Sequence, residues 1–384
     1  MTAWSATAKA GRDGEHFGAP DAPAGPVPPI APTTPSAPAV PPAATVPSVP
    51  ASPPAATVPN VRHTGEPAAE PPEDAMDLVG ATALARALRD AVSEVVLGAP
   101  DAVTVAVCAA VSGGHLLIED VPGTGKTVLA RTLAAALGAE LSRIQGNTDL
   151  LPTDVTGVSV YSPDRGDWRF HPGPVFAHVV LLDELNRTPP RTQSALLEAM
   201  AEEQVTVDGA RWPLPRPYLV IATQNPGQLG TFPLVESQLD RFALSTQLGY
   251  PDAETELDLA MGRGGRDALD KLRPVCSTAE WGRLVDACAA VRVAREVAGY
   301  AVRLVRATRV AAGVHLGASP RATITLVRSA QAHALLEGRP YATPDDVQAV
   351  AVAGLAHRLA SDALPDQRAG LVREALRSVP APRP

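Results

Sequence analysis

Residues 118–127 read I-E-D-V-P-G-T-G-K-T, and they restrict the fold of this 384-residue chain more than any other stretch. His115, Leu116, Leu117 and Ile118 make a short run of strand length. Gly123, Thr124 and Gly125 make a glycine-rich turn, and from Lys126 the sequence K-T-V-L-A-R-T-L-A-A-A-L has helical periodicity and strong helix formers. Strand, glycine loop and helix in succession are the setting in which G-K-T binds phosphate. The glycines let backbone N–H groups turn inward, and the helix N-terminus adds a favourable dipole. Pro122, Gly123, Thr124, Gly125, Lys126, Thr127 and Val128 are therefore the candidate nucleotide-binding residues. Lys126 is expected to reach the β- and γ-phosphates, and the Thr127 hydroxyl to complete the coordination of Mg²⁺. The usual pattern opens with a glycine at the position of Asp120, so the match taken alone is less specific than the full motif.

Composition limits what such a site can serve. A net charge of −8 argues against nonspecific binding to nucleic acid or to an anionic membrane. Cys108, Cys276 and Cys288 have no metal-ligand spacing, and so sparse a set fits a reducing compartment. No apolar run approaches the ~18 residues of a membrane span. The first residues lack the basic and apolar segments of a signal peptide. The expectation is a cytoplasmic protein with no membrane span. Eighteen of the 40 prolines precede Glu73, among Ala, Val, Thr and Ser. Such a segment buries too little apolar surface to offset its ordering entropy, so residues 1–75 are expected to be disordered and locally polyproline II.

Beyond the tail, Leu84, Leu88, Val92, Val95 and Val96 recur at helical spacing, and Gly98, Ala99 and Pro100 end that helix. Asp101 is expected to cap a second helix through Val111. Residues 141–145 suggest a second strand, followed by a loop-rich excursion to about Pro174. Residues 175–183, V-F-A-H-V-V-L-L-D, read as a buried strand, and Thr188-Pro189-Pro190 opens a helix. Residues 205–215 alternate around Asp208-Gly209 as a hairpin. Residues 218–223 and 242–248 read as the remaining strands. Past Pro251 the pattern is helical throughout, over 253–261, 279–291, 297–311, 322–336 and 344–359. Strands alternating with helices, then helices alone, describe an α/β fold with a parallel sheet sandwiched by helices, followed by a small all-α domain. The expected division is 1–75 for the tail, 76–254 for the nucleotide domain and 255–384 for the helical lid.

Asp183 and Glu184 end the buried strand 175–183, at the edge where such sheets bind ligands. Asp183 is expected to hold Mg²⁺ through water and Glu184 to polarise the attacking water. Asn225, in A-T-Q-N-P, ends the next strand. A neutral amide there can hydrogen-bond the γ-phosphate or the water without adding negative charge. Arg241, in Q-L-D-R-F, and Arg321, in G-A-S-P-R-A, carry guanidinium groups of the kind that neutralise a transferring phosphoryl group. Each arginine alone reads more readily as a surface ion-pair partner, so chemistry by itself does not assign them.

Taken in order, these motifs resemble the MoxR family of AAA+ ATPases over about residues 90–360. The resemblance rests on E-D-V-P-G-T-G-K-T, R-I-Q-G-N-T-D-L-L-P-T-D-V-T-G, G-P-V-F, L-L-D-E-L-N-R-T-P-P-R-T-Q-S-A-L-L-E-A-M, A-T-Q-N-P, E-S-Q-L-D-R-F, L-G-Y-P, G-A-S-P-R-A and T-P-D-D-V. The family's own phosphate loop also lacks the opening glycine. The resemblance implies Lys126 and Thr127 as Walker A, Asp183 and Glu184 as Walker B, and Asn225 as sensor 1. It implies Arg241 as an arginine finger for a neighbouring subunit and Arg321 as sensor 2. Residues 149–174 match the family's insert after the second strand, and 204–217 its hairpin before sensor 1. Leu185, Gly146-Asn147 and Val235 depart from the usual residues, and none is at a catalytic position.

Three functions follow. The first is an ATPase using ATP and Mg²⁺, assembled as a hexameric ring of identical subunits and remodelling protein partners; the resemblance associates it with von Willebrand factor A domain proteins. The second is a nucleic-acid-directed or GTP-dependent motor on the same type of domain, against which the acidic charge counts. The third is a nucleotide-gated binding module with little hydrolysis, against which Glu184 and Asn225 count.

Overall fold

The computed structural model describes residues 76–164, 166–225, 232–361 and 365–382. The expectation for residues 1–75 lies outside them. Helix α1 (Leu78–Val95) buries Ala81, Ala85, Leu88, Val92 and Val95, a stripe at three- and four-residue spacing. The Asp77 side chain caps it, accepting from the Gly80 N–H at 2.8 Å. Helix α2 (Pro100–Val111) is apolar nearly all round and is buried along most of its length. Ala99 takes its cap position and Pro100 its first turn. Asp101 is thus not the expected cap. It lies inside the first turn, where its charge suits the helix dipole.

Strand β1 (Leu116–Glu119) leads through the glycine loop to α3 (Lys126–Ala136) and β2 (Leu141–Gln145). The excursion that follows is not mere loop. It holds a short helix α4 (Pro152–Thr156) and an antiparallel hairpin of β3 (Gly157–Ser162) and β4 (Asp167–Pro172). Strand β5 (Val179–Asp183) starts four residues later than the sequence suggests, because Pro174–Phe176 closes a 3₁₀ turn first. Helix α5 (Pro190–Glu202), the hairpin β6 (Gln204–Val207) and β7 (Ala210–Pro213), β8 (Leu219–Gln224), a short α6 (Glu236–Leu239) and β9 (Leu244–Thr246) complete this half.

The five longer-range strands are all parallel, in the order β2-β5-β8-β1-β9. Alternation along the strands sends Leu116, Ile118, Leu181 and Ile221 into a core shared with α1, α2 and α3. Leu117, Val180, Leu182 and Val220 go to the other face, against α5 and Phe242. Both faces are covered, which is why β5 is apolar at four consecutive positions. The strand order reverses beside β1, so the carboxyl ends of β1 and β8 open onto the crevice where such sheets take ligands. At the amino end, His115 fixes β1 to its neighbours. Its Nδ1 accepts from the Val220 N–H at 3.1 Å, and its Nε2 donates to the Met200 carbonyl at 3.1 Å. Burial lowers its pKa from 6.5 to about 4.

The remainder is built on α7 (Ala253–Ala260), α8 (Gly265–Leu269), α9 (Thr278–Ala289), β10 (Arg292–Val293), α10 (Arg295–Thr308), β11 (Val314–Leu316), α11 (Pro320–Leu336), β12 (Tyr341–Ala342), α12 (Pro344–Leu355), β13 (Ala360–Ser361) and α13 (Pro365–Ser378). Two small ribbons therefore interrupt a segment expected to be wholly helical: β10 pairs with β12, and β11 with β13. Pairings of two or three residues carry no periodic signal. Helix α13 is an addition to the five expected helices, in the stretch P-D-Q-R-A-G-L-V-R-E-A-L-R-S, where polar residues outnumber large apolar ones. The buried Trp281 indole of α9 donates to the Ala110 carbonyl of α2 at 3.0 Å, tying the two halves together. In T-P-D-D-V the fully buried Asp346 carboxylate accepts from both Arg339 Nη groups, the Thr343 N–H and hydroxyl, and pairs with His333. The thiols of Cys108, Cys276 and Cys288 are free and buried. Burial pushes Cys276 up to about 11, Cys288 up to about 12 and Cys108 still further.

Candidate nucleotide site

Gly123 and Gly125 hold φ of 89° and 97°, the left-handed region in which glycine alone is unstrained, and α3 begins immediately after them. Asp120 is buried at the start of the loop. Its Oδ1 accepts from the Val121 N–H at 2.8 Å, while Oδ2 accepts from the N–H groups of Leu248 and Gly249 at 2.8 and 2.9 Å. The residue that departs from the common glycine pattern thus ties the phosphate loop to the turn following β9, where the chain leaves the sheet. Beside the loop lies a cavity of about 310 Å³, lined by Val96, Ala99, Val128, Leu248, Pro251 and Leu259 among others. Its glycine-loop wall and apolar walls suit a phosphate at one end and a base at the other. Gly98 and Ala99, read in the sequence only as a helix end, form part of this wall.

The Lys126 ammonium is buried and donates to the carbonyls of Asp120 and Val121, both at 2.7 Å, and to Asn225 Oδ1 at 2.8 Å. Burial lowers its pKa, and Asp120, Asp183 and Glu184 oppose that shift. The other end of the Asn225 amide donates to Glu184 Oε1 at 3.3 Å. One neutral side chain therefore bridges the lysine and the carboxylate, oxygen toward the cation and nitrogen toward the anion. Glu184 itself sits at φ 56°, left-handed for a non-glycine residue, with its N–H donated to the Thr223 hydroxyl at 3.0 Å. Such strain persists where surrounding contacts over-determine it.

Asp183 Oδ1 accepts from Thr223 Oγ1 at 2.7 Å, and Oδ2 faces Thr127 Oγ1 at 3.4 Å. Three further groups, beyond those the sequence points to, belong to this cluster. Arg143 donates to the same Asp183 Oδ2 at 2.7 Å and to Gln145 Oε1 at 2.8 Å. Gln145 in turn donates to Glu184 Oε2 at 3.2 Å, and Arg187 pairs with that oxygen at 3.1 Å. Arg143 and Gln145 lie on β2, in the R-I-Q-G-N stretch that the resemblance already contained. That stretch was the available signal.

The structure does not bring Arg241 or Arg321 to this cluster. Arg241 follows α6 and lines a shallow groove with Glu198, Glu202 and Gln238. Arg321 is exposed in the first turn of α11. The α11 cap Ser319, two residues before it, hydrogen-bonds the Asp240 carboxylate beside Arg241. Lys126, Thr127, Asp183, Glu184 and Asn225 thus form one group, and the two arginines stand in another region.

A five-stranded parallel sheet with a phosphate loop at its carboxyl edge and a helical lid behind defines an AAA+ ATPase. The family profile described as "ATPase family associated with various cellular activities (AAA)" matches residues 115–244, and that of the AAA lid domain matches residues 306–378. The chain is 38% identical over 319 residues to Chaperone MoxR1 of Mycobacterium tuberculosis, spanning 79% of this chain and 84% of that protein. It is 30% identical over 343 residues to Protein MoxR of Methylorubrum extorquens, spanning 81% and 98%. A solved structure of a Cytophaga hutchinsonii protein classed as an ATPase superposes with a TM-score of 0.72 at 34% identity, covering 80% of this chain and 97% of that one. The chain belongs to the MoxR family of AAA+ ATPases.

Proposed function

We propose that the chain hydrolyses ATP with Mg²⁺ as a ring of identical subunits, a hexamer, and uses the cycle to remodel or activate protein partners. A von Willebrand factor A domain protein is the partner class proposed. The observation that carries the reading is the Asn225 amide held between Lys126 and Glu184. It gathers a phosphate-directed cation, a neutral hydrogen-bonding group and a carboxylate around one point. Phosphate oxygens in place of the Asp120 and Val121 carbonyls would give full charge compensation to an ammonium that burial disfavours. Thr127 and Asp183 offer hard oxygen donors on neighbouring elements, a set that fits Mg²⁺ shared with phosphates. When bound, the ion would neutralise charge on the β- and γ-phosphate oxygens. Glu184 would take the proton of the attacking water, with Asn225 fixing both the carboxylate and the water.

Arg241 and Arg321 lie away from their own phosphate loop, which supports their delivery to the site of a neighbouring copy. The relative named Chaperone MoxR1 supports a protein client. No described helix is long and apolar enough to cross a membrane, and a cytoplasmic setting belongs to the same proposal. Phosphate release and nucleotide affinity, measured on wild type and Glu184→Gln, test it. The variant keeps the shape and loses the base. It is expected to bind nucleotide within a few-fold of wild type and to lose roughly 10²-fold or more in turnover. Turnover within a few-fold of wild type would remove Glu184 from catalysis.

A further inference from the structure

We infer that the Asp240 carboxylate is a positioning group that locks Arg241 and Arg321 into one unit, so that the two guanidinium groups are presented to a neighbouring site together. This rests on the shared-site reading above. Asp240 precedes Arg241 directly. Its Oδ1 and Oδ2 lie 2.9 and 2.8 Å from the Ser319 hydroxyl, which donates to the carboxylate. Ser319 is the cap of α11, and its Oγ also accepts from the Ala322 N–H at 3.1 Å. Arg321 follows two residues later. A short covalent path thus joins each arginine to one end of a single hydrogen bond.

Arg358 closes the arrangement from beneath. It is buried and donates through Nε to Asp240 Oδ1 at 3.0 Å. Its Nη groups donate to the carbonyls of Asp240 and Ala243, both at 3.3 Å, to Phe242 at 2.7 Å, and to Gly354. A guanidinium clamped on residues 240–243 holds the backbone that carries Arg241. Burial lowers its pKa to about 10, and the Asp240 charge opposes that loss. The Arg358–Asp240 pair alone would suffice to fasten the lid to the sheet. The Ser319 hydroxyl adds a second link, and what that link fixes is the start of α11 relative to α6. Those are the two places from which the arginines project. A water-exposed gap between them would let each move independently, and a transition state needing both charges would then lose the benefit of fixed geometry.

The test removes the hydroxyl and asks whether an intact neighbour repairs the damage. Ser319→Ala, Ser319→Gly and Ser319→Thr are compared; glycine keeps a serviceable helix cap should alanine fail to fold, and threonine keeps the hydroxyl. The expected result is nucleotide affinity within twofold of wild type, turnover lowered about tenfold or more by alanine and glycine, and turnover within threefold for threonine. Mixing Ser319→Ala, or glycine, with Glu184→Gln should restore turnover several-fold above the sum of the separate variants. The first variant retains the base and the second retains properly held arginines. A defect confined to the variant's own folding or nucleotide site would not respond to mixing. Turnover within twofold of wild type for both hydroxyl-less variants overturns the inference. So does failure of mixing while a parallel mixture of Arg241→Ala with Glu184→Gln recovers. If that parallel mixture also fails despite co-assembly, the shared-site reading falls, and this inference with it.

Discussion

Asp183 Oδ2 has two claimants: the Thr127 hydroxyl at 3.4 Å and the Arg143 guanidinium at 2.7 Å. Arg143 therefore sits as a cation on the oxygen that the proposed function assigns to Mg²⁺. The Arg143 side chain is 54% exposed, so solvent screens the pair and its worth is at most about 1 kcal/mol. That figure corresponds to about fivefold in an equilibrium constant. Arg143→Gln is expected to lower the Mg²⁺ concentration for half-maximal nucleotide binding by a factor of about 2–5. Fluorescent-nucleotide titrations across a Mg²⁺ series measure it. An unchanged or higher requirement would show that Arg143 assists the ion's site rather than competing for it. Contacts of this kind were illegible in the sequence because they join residues far apart along the chain. Arg143 and Asp183 are 40 positions apart, and Asp120 and Leu248 are 128 apart. Lys126 and Thr127, in contrast, were legible because the glycine turn that shapes their surroundings is adjacent to them.

At the level of elements, β1 is held by an imidazole that works only when neutral. Nδ1 of His115 accepts the Val220 N–H, so a proton on Nδ1 would set two donors against each other. The folded pKa of about 4 lies below the unfolded 6.5. The unfolded chain therefore takes up the proton first as pH falls. The contribution is fully present above 6.5, declines through the window between 6.5 and 4, and amounts to about 3 kcal/mol at most. His357, whose Nε2 donates to the Phe242 carbonyl, is lowered by burial to about 3 and adds in the same direction. The thermal midpoint should fall between pH 6.5 and 4, and less steeply in His115→Asn, which offers an acceptor and a donor that do not titrate. Parallel slopes for the two proteins would show that His115 does not set the decline. Apolar runs of four or more residues between turn signals mark the sheet strands, as in β8, although in β5 the 3₁₀ turn at Pro174–Phe176 takes the first residues of the run. Strands are not marked where pairing is too short for a pattern, as in β10 with β12. Helix α13 did carry a signal: Leu371, Val372, Ala375 and Leu376 pack into or against the core at helical spacing, but they stand within a polar stretch opened by Pro365.

For the whole molecule, Lys126, Thr127, Asp183, Glu184 and Asn225 lie between Asp120 and Asn225, the cavity beside them adds residues from Val95 to Gly265, and Arg241 and Arg321 also lie past residue 75. Deleting residues 1–75 removes none of them and leaves the Asp77 cap of α1 in place. Basal turnover of the truncated protein is expected within twofold of the full chain, and its thermal midpoint within a few degrees. Loss of turnover on truncation would make the proline-rich segment part of the catalytic body. The interior also contains three thiols placed at different depths of the assembly. Cys108 lies within α2 under the sheet-side core, Cys288 within α9, and Cys276 at the junction where residues 275–276 hydrogen-bond to the Ala136 carbonyl. A thiol at about 11 is thiolate in only about one molecule in 10⁴ at pH 7, and burial blocks reagent access as well. Alkylating or disulfide-exchange reagents should therefore find nothing to modify in the native protein, and rapid stoichiometric labelling would contradict the burial. Once opening is forced by mild denaturant, the order of modification becomes a record of how the molecule comes apart. Cys276 reacting ahead of Cys108 would time separation at the junction apart from collapse of the core, using reporters that require no introduced dye or mutation.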